Sequence, residues 1–225
     1  MKDSLSSSHL SGKELIIATT NKGKFGEICS ELSSLNLQLR SLGDFAGLPE
    51  APETGSTFEE NARLKADFYY RKLQLPVLAE DSGLVIPSLG GFPGIHSARI
   101  ANDDASRIRL VLERLGELEK ETLTAPEKSW QLRAAYYVSS LVFEEGEKVF
   151  TVEGRCQGVI TGSPSGTQGF GYDPIFVPEN TGKTFGEMDQ EQKSQISHRG
   201  RALRGMMPYL ISVFHSENHL TAKGT

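Results

Sequence analysis

The chain has 225 residues, 37% of them hydrophobic and 24% charged, with a formal net charge of −5 at pH 7. That composition suits a soluble globular protein with material for one large domain or two small lobes. The negative balance argues against nucleic acid held by broad electrostatic attraction, and no apolar run approaches the roughly 20 residues of a membrane span.

Residues 1–12 are Ser-rich and polar, lack the apolar core of a signal peptide, and read as a disordered leader. Residues 216–225 read as a flexible tail, leaving one two-lobed domain over 13–215. Cys29 and Cys156 have no metal-ligand neighbours at useful spacing and read as thiols of a reducing compartment, which places the protein in the cytoplasm.

Leu15-Ile16-Ile17-Ala18 reads as a first strand, followed by the polar turn Thr19-Thr20-Asn21-Lys22-Gly23-Lys24. A helix then runs from Lys22 or Gly23 to Ser33, with Phe25, Ile28, Cys29 and Leu32 at helical spacing. A strand, polar turn and helix start with free N–H groups, hydroxyls, an amide and lysines makes a phosphate seat. Taken alone, the same residues suit an ordinary N-cap by Thr20 or Asn21 with solvated lysines better.

Leu37–Leu42 reads as a second strand, and Glu50–Thr57 as a Pro/Gly-rich loop carrying Glu53. Thr57, with Glu60 three residues on, predicts a capping box opening a helix over Phe58–Leu73. Lys65 lies near its apolar face, as an inward cation or a lysine snorkelling from the flank.

Pro76–Ala79 is a short apolar run that ends in Glu80-Asp81-Ser82-Gly83, before a second run, Leu84-Val85-Ile86. The spacing predicts a strand delivering two acids to its mouth, with Ser82 and Gly83 turning the chain. Such acids can hold a hard metal ion or activate a water, or be solvated turn formers. A glycine-rich loop over 87–98 follows, closed by Arg99, and Asp103 caps a helix over 104–118.

Trp130–Phe143 and Lys148–Arg155 alternate around the Glu144–Glu147 turn and predict a β-hairpin, extended by Gly158–Ile160. Its aromatics, Trp130 among them, read as core or interface. Tyr172–Val177 is expected as a short strand leaving a Pro/Gly-rich loop, then a short helix near Gln190. Ser197 caps a last helix, 198–214, with a kink or restart at Pro208. Asn180–Thr184 carries GKT but has Val177 where a phosphate-binding loop needs glycine, and Gly169–Pro174 fails as a dinucleotide fingerprint because proline ends it. Helices alternating with strands, plus a long hairpin, argue a mixed α/β fold.

Taken together, TTNKGK (19–24), ETGSTFEENARLKA (53–66), AEDSGLVIPSLGGFPGIHSAR (79–99), GTQGFGYDPIF (166–176) and KSQISHRG (193–200) resemble the inosine/xanthosine triphosphate pyrophosphatase family, over nearly the whole span from Leu15 to about Leu210. The resemblance implies a two-lobed α/β fold with an elongated mixed sheet flanked by helices and a cleft between lobes. It also implies a homodimer, a Mg²⁺ requirement, and hydrolysis of ITP, XTP or their deoxy forms to the monophosphate and pyrophosphate.

By the same resemblance, Thr19, Thr20, Asn21, Lys24 and Lys65 bind the phosphates, and Glu53, Glu80 and Asp81 are the acidic metal positions, with Asp81 also the catalytic base. Ser82, Phe170, Gly171, Tyr172, Asp173, Lys193, His198 and Arg199 contact the nucleotide. Phe170 offers a stacking face, while His198 and Arg199 donate to a 6-oxo group. A pyrophosphatase for modified pyrimidine nucleotides and a nucleotide-binding module without turnover are the alternatives.

Overall fold

The computed structural model describes residues 13–122 and 129–215. The expected leader and tail lie outside the described residues. Strands β1 (Glu14–Ala18), β2 (Gln38–Ser41), β3 (Val77–Val85), β4 (Ala134–Glu145), β5 (Lys148–Ile160) and β6 (Phe176–Pro178) form one sheet in the order β2-β1-β3-β4-β5-β6. β2, β1 and β3 run parallel, and β3 through β6 pair antiparallel, so the sheet is mixed as expected.

Helix α1 (Lys22–Leu32) follows β1 after one short turn, and Asn21 accepts a hydrogen bond from the Lys24 N–H at its start. Helix α2 (Phe58–Leu73) begins with Thr57 accepting from the Glu60 N–H. The Glu60 carboxylate reaches one residue further back than a capping box predicts, to the N–H and hydroxyl of Ser56. Helix α3 (Asp104–Glu121) is capped by Asp103. Helix α4 (Ser129–Leu132) is a single turn, α5 spans Gln190–Ile196, and α6 spans His198–His215.

The two faces of the sheet read out the strand period of two. Leu15, Ile17, Leu78, Leu141 and Phe143 pack against Ile28 and Leu32 of α1 and Ala202, Leu203, Met206 and Leu210 of α6. Ile16, Ala18, Val77, Ala79 and Val142 pack the other way, against Ala62, Ala66 and Tyr69 of α2. The far end of the hairpin carries a separate core, in which Leu84, Ile86, Tyr137 and Ile160 meet Ile108, Val111 and Leu115 of α3 and the rings of Phe176 and Phe185.

Four local expectations are corrected. Ser82 and Gly83 do not turn the chain, because β3 runs unbroken through them, paired residue by residue with β4 from Val77↔Glu144 to Val85↔Tyr136. A Cβ at Gly83 would lie 2.5 Å from the Gly94 carbonyl oxygen and from Ser97 Oγ, so glycine serves a close approach here and not a turn. The hairpin begins at Ala134, after the helical turn that holds Trp130, because pairing opens where the Ile160 N–H donates to the Arg133 carbonyl. Tyr172–Val177 divides into a 3₁₀ turn over Asp173–Ile175 and β6, since Pro174 suits the first turn and not a central ladder. Finally, α6 does not restart at Pro208 but runs through it. The missing bond costs about 3 kcal/mol, and burial of Leu203, Met206, Leu210 and Phe214 offsets it.

Candidate functional site

The cleft opens where β1 stops. β1 pairs with β3 only from Ile16↔Val77 to Ala18↔Ala79, while β3 continues for six more residues. Glu80 is the first residue past its parallel neighbour, at the carboxyl end of β1, where open α/β sheets place ligands. A cavity of about 760 Å³ lies there, lined by Thr19, Thr20, Asn21, Lys24, Glu53, Lys65, Glu80, Asp81, Ser82 and Arg99. A smaller one of about 80 Å³ adjoins it, lined by Phe170, Gly171, Tyr172, Asp173, Lys193, His198 and Arg199. Asn21, Lys24, Ser82 and Ala98 line both, so the two are compartments of one groove. Each candidate residue of the sequence reading lines one or both.

Glu80 and Asp81 part company within this groove. Successive strand residues face opposite sides of a sheet, and Asp81 follows Ala79 towards α2. Its Oδ1 accepts from Lys65 Nζ at 3.2 Å and its Oδ2 from Asn61 Nδ2 at 3.3 Å. Lys65, only 9% exposed, also donates to the Glu80 carbonyl at 3.0 Å and meets Glu53 at 2.7 Å. The other Glu53 oxygen pairs with Arg99.

Glu80 follows Leu78 towards α1 and α6. Its Oε1 accepts from Ser139 Oγ at 2.6 Å and from Arg199 Nε at 2.8 Å. Its Oε2 is buried and accepts no hydrogen bond; Lys24 Nζ stands 3.5 Å away. Burial pushes the Glu80 carboxyl up, but Arg199, Lys24 and the Ser139 hydrogen bond outweigh it and hold the group well below the usual carboxylate range. Among the described residues, no three His, Cys, Asp or Glu side chains converge on one point. Glu53, Glu80 and Asp81 share a cleft without forming a single acidic cluster, because the strand period divides the last two.

The smaller compartment is built on a buried ionic chain. Arg199 donates to Glu80, to Glu27 and, at 3.2 Å, to Ser82. Glu27 also accepts from Lys193 at 2.7 Å, and Lys193 donates to Asp173 at 2.6 Å. Asp173 accepts from the Phe170 N–H at 2.8 Å, which fixes the loop carrying that ring. Burial pushes the Glu27 carboxyl up, and the charges of Arg199 and Lys193 more than reverse it, leaving it lowered. Asp173 is raised by burial despite Lys193.

Phe170 lies half-buried, its ring so close to Gly23 that a Cβ there would stand 2.5 Å from it. Lys193 Nζ sits 4.8 Å from the Phe170 centroid. His198 stacks on Tyr137 at 4.5 Å and 6°, and its Nδ1 is buried without a hydrogen-bond partner. Burial and the Arg199 charge hold His198 well below its ordinary value, so the ring is neutral at pH 7. Tyr172 builds the wall by donating its hydroxyl to the Ser97 carbonyl at 2.7 Å, and the Gly171 N–H donates to Asp104.

Glu27, Asn61, Arg99, Ser139 and Asp104 were not among the candidates. Glu27 sits on α1 like any solvated helix acid, and its partners are 166 and 172 residues away, so nothing local marks it. Asn61 shares with Lys65 the i, i+4 spacing that puts both on one face of α2, the one available signal.

Comparison with known proteins bears on the same groove. The profile of the Ham1 family matches residues 15–209, a span that contains every residue lining either compartment. A dITP/XTP pyrophosphatase of Geobacillus kaustophilus is 43% identical over 191 residues, covering 85% of this chain and 91% of that protein. One of Syntrophobacter fumaroxidans is 47% identical, covering 84% and 78%. Among solved structures, a HAM1 protein from Coxiella burnetii superposes with a TM-score of 0.76 at 34% identity, covering 89% of this chain and 99% of that one. Since the family profile covers most of the chain, and relatives 43% and 47% identical and a solved HAM1 structure match it over more than four-fifths of its length, the chain belongs to the Ham1 family.

Proposed function

We propose that this protein hydrolyses noncanonical purine nucleoside triphosphates, ITP, XTP and their deoxy forms, to the monophosphate and pyrophosphate, and so cleanses the nucleotide pool. The observation that carries the reading is the two-compartment groove. An aromatic pocket with one unpartnered buried imidazole nitrogen opens, past Asn21, Lys24 and Ser82, into a chamber of cations and carboxylates. The relatives named dITP/XTP pyrophosphatase agree with it.

The base stacks on Phe170, and neutral His198, in the tautomer with its proton on Nδ1, donates to the 6-oxo oxygen. Adenine presents an amino donor there instead, so in this tautomer donor faces donor, a mismatch that costs about 1–3 kcal/mol, or roughly five- to 150-fold. Arg199 is committed to Glu80, Glu27 and Ser82, so it shapes this pocket and orients Glu80 at once.

The free N–H groups at the start of α1, together with Thr19, Thr20, Asn21 and Lys24, seat the phosphates. Asp81, oriented by Lys65 and Asn61, is the base that takes the proton of the attacking water at the α-phosphorus. Mg²⁺ fits the donor set, since it takes one or two carboxylates with substrate phosphate and waters. Glu80, whose Oε2 accepts no hydrogen bond and has Lys24 beside it, and Asp81 border the larger compartment from opposite sides of β3 and would hold it between them, with Glu53 behind Lys65 and Arg99. When bound, the ion supplies positive charge to the phosphate oxygens. A homodimer and a cytoplasmic setting complete the proposal; no helix among the described residues is long and apolar enough to cross a membrane.

Product analysis with ITP and Mg²⁺ tests the proposal. IMP with pyrophosphate is expected. IDP with orthophosphate, or a preference for dUTP and modified pyrimidine triphosphates over ITP and XTP, would overturn it.

A further inference from the structure

We infer that Arg99 binds the terminal phosphate of the substrate and sets the preference for a triphosphate over a diphosphate. The inference rests on the pyrophosphatase reading above, because that reading places the base at Phe170 and His198 and runs the phosphates past Asn21, Lys24 and Ser82. Glu53, Lys65 and Arg99 line only the larger compartment, beyond that shared wall, which is where the end of a triphosphate chain arrives.

The donors in this chamber single out Arg99. An ammonium has three N–H donors. Those of Lys65 face three acceptors already, Glu53, Asp81 and the Glu80 carbonyl. Lys24 stands at the shared wall, 3.5 Å from Glu80. Arg99 has five donors, pairs with Glu53 alone among the described residues, and leaves 48% of its side chain exposed. An exposed ion pair is worth little in water, so exchanging Glu53 for a doubly charged terminal phosphate favours the phosphate, which matches the guanidinium fork.

The backbone under Arg99 is anchored while its side chain is not. Ser97 Oγ accepts from the Leu84 N–H at 2.9 Å and donates to the Gly94 carbonyl at 2.6 Å, and the Arg99 N–H donates to the His96 carbonyl at 2.8 Å. Tyr172 ties the same segment to the base pocket through the Ser97 carbonyl. The backbone that carries Arg99 is therefore held at a fixed distance from the Phe170 pocket, as a gauge of phosphate-chain length must be.

The test compares ITP with IDP, whose hydrolysis at the α-phosphorus gives IMP and orthophosphate, in wild type, Arg99→Met and Arg99→Lys. In Arg99→Met, kcat/KM for ITP is expected to fall about ten- to hundredfold, as loss of a charge-assisted contact would give, and IDP turnover to change by less than about threefold. Inhibition by pyrophosphate should weaken and inhibition by IMP should not. Arg99→Lys, which keeps the charge and loses the fork, should retain part of the preference. Parallel losses for ITP and IDP, or ITP kinetics unchanged with pyrophosphate inhibition intact, would overturn the inference. Failure of wild type to release pyrophosphate from ITP would instead remove the pyrophosphatase reading.

Discussion

Asp81 and Glu80 are neighbours in sequence and serve opposite sides of the sheet. On the α2 side, Asp81, Lys65, Glu53 and Arg99 form a chain of charge that runs from buried to half exposed and opens on the larger compartment. On the α6 side, Glu80, Arg199, Glu27, Lys193 and Asp173 form a longer chain that is buried almost throughout and ends at the loop carrying Phe170. The first side has charges that a substrate can reach and rearrange. The second holds its charges against one another, so that removing one strands its neighbours away from water. On the proposed reading, the first side serves the chemistry, and the second fixes the Phe170 pocket while holding Glu80 in place.

Asp81→Asn should break the chemical side alone. Turnover of ITP, followed by pyrophosphate release, is expected to fall by about 10²–10⁴, the usual worth of a general base, with the unfolding transition little changed. Turnover near that of wild type would take Asp81 out of the role. Lys193→Met should break the architectural side. It leaves Asp173 and Glu27 buried without their shared cation, and denaturant unfolding should register a loss of about 3–5 kcal/mol. A loss below about 1 kcal/mol would mean that the buried chain does not hold the pocket.

Phe170→Ala acts at the end of that chain. Lost stacking should raise KM for ITP by about tenfold with kcat changed far less; an unchanged KM would remove the stacking role. His198 gives the smallest effect, a slope. Its folded pKa is depressed, so between the ordinary value near 6.5 and the lower folded value the unfolded chain binds a proton that the folded chain does not. Stability is therefore lost as pH falls from 7 towards 5, by about 1.4 kcal/mol per pH unit from this group. His198→Gln should flatten the stability–pH curve relative to wild type over that window, and an identical slope in both would contradict a buried neutral ring.

What the sequence made legible follows the same division. β1, α1, α2 and α3 are local patterns, apolar spacing behind Asn21, Thr57 and Asp103, and each stands where those patterns put it. The site residues came through their order along the chain, which resembles one family over most of its length. β3 did not come through, because Ser82-Gly83 has the composition of a turn and only its nine paired partners on β4 make it strand. For the same reason the acids read as a pair at a strand's mouth, whereas the mouth belongs to β1 and the strand period sends Glu80 and Asp81 apart. The buried chain through Glu27 was beyond local reading altogether, since its members meet only when α1, α5 and α6 pack together.

Hydrolysing ITP in H₂¹⁸O and weighing the products shows whether this groove brings a water to the α-phosphorus of a 6-oxopurine triphosphate. The label is expected in IMP, with the pyrophosphate unlabelled. Label in the pyrophosphate, with unlabelled IMP, would place the attack on the β-phosphorus and contradict the proposed reaction.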